Sequence, residues 1–246
     1  MCATPRTGST LLCGLLACAG VAGHPQSYFR RQGLQEYAAE WGVPRSSDGG
    51  FAYADYLQAA LAAGRTENGV FAARIMWETL EEVLGGLRAM SPGLPGGAVS
   101  LLERALGHTR FVYLRREDVV AQAVSLLRAE QTNVWHDPVQ ATRPEPEHEA
   151  QFDFDEVHRR VQVINQHNAA WQEWFSSAGI EPFPVRYEEL AVDPVGTSRR
   201  ILDFLDLEVP SGRELAMQHR RLADELSGQW IARYHSEQHR RSGPSR

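Results

Sequence analysis

Pro5-Arg6-Thr7-Gly8-Ser9-Thr10 sets a guanidinium, hydroxyls and a glycine just ahead of an apolar run. That set suits an anion. A glycine lets the backbone approach a ligand closely, and a helix beginning at Ser9 would offer unpaired N–H groups and the positive end of its dipole. Ser9 or Thr10 is the expected N-cap. The common phosphate loop, G-x-x-x-x-G-K-[ST], does not fit: with Gly8 as its second glycine, Ala3 stands at the first and Ser9 at the lysine. The cation has moved to Arg6, ahead of the glycine. An ordinary strand-to-helix turn capped by Thr-Gly-Ser remains open as the alternative.

A second constellation is Tyr113-Leu114-Arg115-Arg116-Glu117-Asp118, with Ser125 further on. Arg116 and Ser125 are nine positions apart, about 2.5 turns of ideal helix, so they converge only if the helix starts after a bend. An exposed basic turn followed by a helix serine is the alternative here.

The elements that must position these groups alternate. Met1 to Thr4 is too short to read as a strand from its pattern, and a helix is expected from Ser9 to about Ala19. Val70 to Ile75, after Asn68-Gly69, reads as a buried strand, followed by a helix through Leu80, Val83, Leu84 and Leu87. Arg110 to Leu114, rich in β-branched and aromatic residues, is the clearest strand, and a helix from about Asp118 to Ala129 follows. Val161, Ile164, Asn168, Trp171 and Phe175 mark one face of a long helix. Pro182 to Arg186 reads as a strand, and Val195 to Leu205 and Asp224 to about His239 as helices. Such alternation implies βαβ units and a parallel sheet, with ligands at the carboxyl ends of its strands. Both constellations fall there.

The chain is expected to be one domain of 246 residues, with 136–151 a mobile loop and 240–246 a disordered tail. A net charge of -6 argues against a nucleic-acid partner but leaves room for one small anion held by local donors. The three cysteines, Cys2, Cys13 and Cys18, form neither a zinc pattern nor a complete disulfide set, so a cytoplasmic setting is expected. Leu11 to Gly23 resembles a secretory h-region, but Gly14 and Gly20 interrupt it and only Arg6 precedes it. No stretch approaches a transmembrane span.

Together the anion loop and the Arg116–Ser125 pair resemble the sulfotransferase family, where a 5′-phosphosulfate loop follows the first strand and an arginine–serine clamp takes the 3′-phosphate. Asn68-Gly69-Val70 to Ile75-Met76-Trp77, Gln122 to Thr132, and Trp230-Ile231-Ala232-Arg233-Tyr234 are similar to the bacterial trehalose sulfotransferase-like branch. Arg186-Tyr187-Glu188-Glu189-Leu190, with Asp193-Pro194 and Phe204-Leu205, resembles a wider sulfotransferase pattern. The likeness runs from Cys2 to about Tyr234.

The resemblance implies a single α/β domain, with a central five-stranded parallel sheet flanked by helices and related to the P-loop nucleotide kinases. It implies sulfuryl transfer from 3′-phosphoadenosine 5′-phosphosulfate (PAPS), without a metal, to a hydroxyl of a sugar, glycolipid or other small molecule. Arg6, Thr7, Gly8, Ser9 and Thr10 would hold the phosphosulfate, and Arg116 and Ser125 the 3′-phosphate. Trp77, Gln131 and Trp135 are candidate acceptor contacts, with core packing the alternative for the tryptophans. The branch has a glutamate base in a segment that reads here Gly23-His24-Pro25-Gln26-Ser27-Tyr28-Phe29, with Ser27 at its place. His24 is the nearest substitute base, since imidazole titrates near neutral pH, and Glu36 and Glu78 come next. A nucleotide-dependent kinase on the same scaffold and a non-catalytic nucleotide-binding relative are the competing readings. Assembly as a homodimer is left open.

Overall fold

Residues 1–47, 49–90, 93, 96–135, 145–216 and 224–242 are described by the structure, a computed structural model. Four short strands, β1 (Cys2–Ala3), β2 (Ile75–Met76), β3 (Val112–Arg115) and β4 (Phe183–Arg186), form a parallel sheet in the order β2-β1-β3-β4. Cys2 pairs with Ile75 on one side and Tyr113 on the other, and Val112 to Arg115 pair in register with Phe183 to Arg186. The fifth strand expected above is not formed among the described residues. Outside the four strands a single parallel bridge joins Gln26 to Ala73.

The expected strand over Val70–Ile75 is likewise corrected. Phe71 bridges Arg65 in antiparallel fashion across the turn at Gly69 (φ 86°), Ala73 bridges Gln26, and only Ile75 enters β2. Three partners in turn leave no continuous ladder.

Helices cover both faces. α1 (Ser9–Ala19) and α9 (Pro194–Phe204) lie on one face, where Leu12, Leu15, Leu16, Ile201 and Leu202 are buried with Ala3, Val112, Leu114 and Val185. The apolar run that resembled an h-region is therefore a core helix, each buried leucine contributing about 1.5–3 kcal/mol. On the other face Cys2 and Tyr113 meet side chains of α3 (Tyr53–Gly64), α4 (Trp77–Met90) and α7 (Phe154–Ser177), among them Tyr56, Leu84 and Trp171. α6 (Val119–Thr132) and α7 pack with α10 (Glu225–Ser242) through Leu127, Val157, Ile164, Trp230 and Tyr234. α2 (Leu34–Glu40), α5 (Ala98–Leu106) and α8 (Tyr187–Val192) complete the chain order.

α10 extends through Arg240, Arg241 and Ser242, where a disordered tail was expected, because Arg241 donates to Asp155 and Glu237 at the basic end of the helix. The rest of that tail, 243–246, and positions 136–144 of the expected loop lie outside the described residues. Among the described residues no helix is long and apolar enough to cross a membrane.

The strand order carries a functional consequence. The chain leaves β1 toward β2, then returns to the other side of β1 to build β3. The order reverses between β1 and β3, and open parallel sheets bind ligands at the carboxyl side of such a switch point. Both constellations fall at that place.

Candidate active site

The turn after β1 is held from below. Thr4, fully buried, accepts a hydrogen bond from Gln122 Nε2 (2.9 Å), which also donates to the Pro5 carbonyl (2.6 Å). Thr7 Oγ1 donates back to the Thr4 carbonyl (2.9 Å), and Trp171 Nε1 to that of Ala3 (3.1 Å). Arg6 and Gly8 both take positive φ, 66° and 82°. At Gly8 a side chain would meet the Tyr187 ring at 2.8 Å, so the glycine is required by conformation and by space. Arg6 is not a glycine, and such a conformation costs an L-residue about 1–2 kcal/mol.

Gly8, rather than the expected Ser9 or Thr10, is the N-cap of α1, with no side-chain cap and no acid in the first turn. The helix therefore starts with N–H groups available to a ligand.

The bend that the Arg116–Ser125 spacing demanded is present. α6 begins at Val119, capped by Asp118 accepting from the Ala121 N–H (2.8 Å). Glu188 accepts from the backbone of Glu117 (3.1 Å) and Asp118 (3.4 Å), and Arg186 Nε lies 3.3 Å from Glu117. Tyr187, between these two residues, carries the Arg116 guanidinium 4.4 Å above its ring and abuts Gly8. The Arg186-Tyr187-Glu188 segment thus holds the two constellations against each other.

Arg6 closes the junction. Its Nε donates to Ser125 Oγ (3.0 Å) and its Nη1 to the Trp135 carbonyl (2.6 Å). Burial first, and then the neighbouring Arg116 cation, hold the Arg6 guanidinium down at about 10. Two guanidiniums, a hydroxyl and an uncapped helix start, brought together at the switch point, form a donor set fit for a polyanion.

Beside it opens a cleft of about 690 Å³, lined among others by Arg6, Ser9, Thr10, Ser27, Arg74, Glu78, Glu130, Trp135, Arg160 and His167. A family model described as Stf0 sulphotransferase matches residues 1–237. The chain belongs to that family. It is similar to the trehalose 2-sulfotransferase of Mycolicibacterium smegmatis, 27% identical with 94% of this chain and 92% of the relative covered. It is also similar to that of Mycobacterium tuberculosis, at 28% identity with 96% and 93% covered. The protein is accordingly an enzyme, a sulfotransferase.

The other residues singled out in this Stf0 sulphotransferase divide. Ser9, Thr10 and Trp135 line the cleft, and Trp135 Nε1 donates to Asn133 (3.1 Å). Thr7 is fully buried and its hydroxyl serves the turn itself. His24 is not brought to the cleft: its N–H donates to the Gly64 carbonyl (2.9 Å), its carbonyl accepts from Tyr28, and its side chain is exposed. Trp77 does not line the cleft either; half-buried, it packs edge-on against the core residue Trp171 at 5.2 Å. Gln131 exchanges hydrogen bonds with the backbone of Gln151 (3.1 and 2.9 Å) and is not a lining residue. Of the weaker bases only Glu78 lines the cleft, and Glu36 does not.

Among the lining residues that sequence reasoning missed are Arg74 and His167. Arg74 carried a usable signal. It is the lone charge in the run from Val70 to Trp77, and a cation in such a stretch needs a partner or a task. Among the described residues no group of three or more His, Cys, Asp or Glu is placed to hold a metal ion.

Proposed function

We propose that this sulfotransferase uses PAPS as donor and sulfates a carbohydrate hydroxyl in the cleft beside Arg6. The supporting observation is the junction of Arg6, Ser125 and Arg116 at the β1–β3 switch point. Arg116 and Ser125 would hold the 3′-phosphate. Arg6 and the first-turn N–H groups of α1 would hold the 5′-phosphosulfate and stabilise charge as it gathers on the bridging oxygen. Arginines carry this work without a metal in our reading, since sulfuryl oxygens bear less charge than phosphoryl ones.

Trehalose is the first acceptor to test, because both relatives are trehalose 2-sulfotransferases. The cytoplasm is the compartment we assign, in keeping with the buried thiols of Cys2 and Cys13.

The acceptor proton must go to a group in the cleft. Glu130 is held by Arg160 (2.8 Å) and Glu82 lies 3.9 Å from Arg31. Glu78 lines the cleft with no ion-pair partner among the described residues, and we assign the base to it. Glu78→Gln should lower kcat by about 10²–10⁴ with little change in nucleotide affinity, while His24→Ala stays near wild type. A fully active Glu78→Gln enzyme, with activity lost in His167→Gln, would move the role to His167.

Thermal melting tests the donor assignment. At 100 times its Kd, 3′,5′-adenosine bisphosphate should add about 2.7 kcal/mol, roughly 5–10 °C for a domain of this size. Stabilisation by ATP with Mg²⁺ instead would favour a kinase.

A further inference from the structure

Arg74 is set in the cleft by backbone pairing. The Gln26–Ala73 bridge and the hydrogen bond from the Arg74 N–H to the Gln26 carbonyl (2.9 Å) lay residues 26–27 beside residues 73–74. From there its Nε donates to Ser27 Oγ (2.8 Å), and its Nη1 to Thr10 Oγ1 (2.9 Å) and Ser9 Oγ (3.3 Å). All four side chains line the cleft.

Each of those hydroxyls accepts from the guanidinium, so each keeps its own O–H as a donor to something else. Arg74 thereby presents a cation together with three polarised hydroxyls. It has no carboxylate partner among the described residues, and neither has Arg30, which donates to Gln32, whereas Arg31, Arg159 and Arg160, also lining the cleft, have Glu82, Glu156 and Glu130. A half-buried guanidinium satisfied only by neutral hydroxyls calls for an anion from the ligand.

We infer that Arg74 and Ser27 extend the anion loop at Ser9 and Thr10 into a subsite apart from the Arg6–Arg116–Ser125 junction, and that this subsite takes the sulfonate being transferred. The inference rests on the donor reading above. In the transfer the acceptor oxygen bonds to sulfur, and the bond from sulfur to the bridging oxygen breaks. The electron pair goes to that oxygen, which stays on the 5′-phosphate of the leaving 3′,5′-adenosine bisphosphate, and the hydroxyl proton passes to Glu78. Arg74 follows the sulfonate oxygens and makes no contact that the desulfonated product needs.

Calorimetry with PAPS and with 3′,5′-adenosine bisphosphate, in the absence of acceptor, reads this out as a ratio of two affinities. In Arg74→Ala the bisphosphate should bind within about twofold of wild type. PAPS should weaken by roughly 10–100-fold, as expected for lost charge-assisted bonds, and turnover should fall by about 10²–10³, as for a lost transition-state donor. Retained bisphosphate binding shows the variant is folded. If it does not fold, Arg74→Lys keeps the cation without the fork and should lower the same ratio less. An equal loss for both nucleotides, or wild-type turnover, overturns the subsite. A wild-type enzyme that binds neither nucleotide overturns the donor reading instead.

Discussion

Replacing Arg6 by alanine should leave the ligand-free protein nearly as stable as before and remove most of the stabilisation that nucleotide supplies. Arg6 makes two hydrogen bonds to neutral acceptors, Ser125 Oγ and the Trp135 carbonyl. At about 1.5 kcal/mol each for a charged donor they contribute roughly 3 kcal/mol. Against that, burial and Arg116 hold the guanidinium down at about 10, well below its usual range. At 1.36 kcal/mol per pKa unit, holding the charge there costs roughly 3 kcal/mol. The two effects offset each other, so the apo Tm of Arg6→Ala should lie within a few degrees of wild type.

With 3′,5′-adenosine bisphosphate the balance is lost. A charge-assisted bond to phosphate is worth about 1.5–3 kcal/mol, a 10–150-fold weaker Kd. At a concentration 100 times the wild-type Kd, the variant gains only about 0.3–1.3 kcal/mol. The ligand-induced shift should therefore drop from roughly 5–10 °C to roughly 1–5 °C. Paired melts with and without the bisphosphate decide. A variant with the full wild-type shift would show that Arg6 does not touch the nucleotide. A collapse of the apo Tm would show that its role is structural.

Two further outcomes follow from the same geometry. Arg116→Ala and Ser125→Ala should weaken 3′,5′-adenosine bisphosphate by roughly 10-fold or more while changing 5′-AMP far less, measured by calorimetry; equal losses would place the 3′-phosphate elsewhere. Gly8→Ala should destabilise the protein by more than about 1 kcal/mol in denaturant melts, since alanine is strained at φ 82° and its methyl would meet Tyr187 at 2.8 Å. An unchanged midpoint would mean that the turn adapts.

What the sequence disclosed was local. The turn from Pro5 to Gly8, the helix Ser9–Ala19 and the strand expected over Arg110 to Leu114, observed over Val112–Arg115, each carry their signal within a few residues. The need for a bend before Ser125 followed from helix geometry alone, and the start of α6 at Val119 supplies it. Long-range pairing was hidden. Arg74 reaches Ser27 and Thr10 only because Gln26 bridges Ala73, a contact across 47 positions that no periodicity announces. Direction was hidden as well. His24 has the chemistry of a base, but its backbone bonds to Gly64 and Tyr28 accompany an exposed side chain outside the cleft. Trp77 has the chemistry of a sugar platform, but its half-buried ring packs against Trp171 outside the cleft. Residue type proposed these roles, and tertiary contacts decided them.

The central claim is that the cleft beside Arg6 moves a sulfuryl group from PAPS to a carbohydrate hydroxyl. Incubating the enzyme with PAPS carrying radiolabelled sulfur and a panel of sugars headed by trehalose tests it directly, reading label in the sugar and release of 3′,5′-adenosine bisphosphate. The account predicts equal amounts of labelled sugar and bisphosphate with the wild-type enzyme, both reduced about 10²–10³-fold in Arg6→Ala. Wild-type enzyme that leaves every sugar unlabelled, or Arg6→Ala enzyme that labels sugar at the wild-type rate, would contradict it.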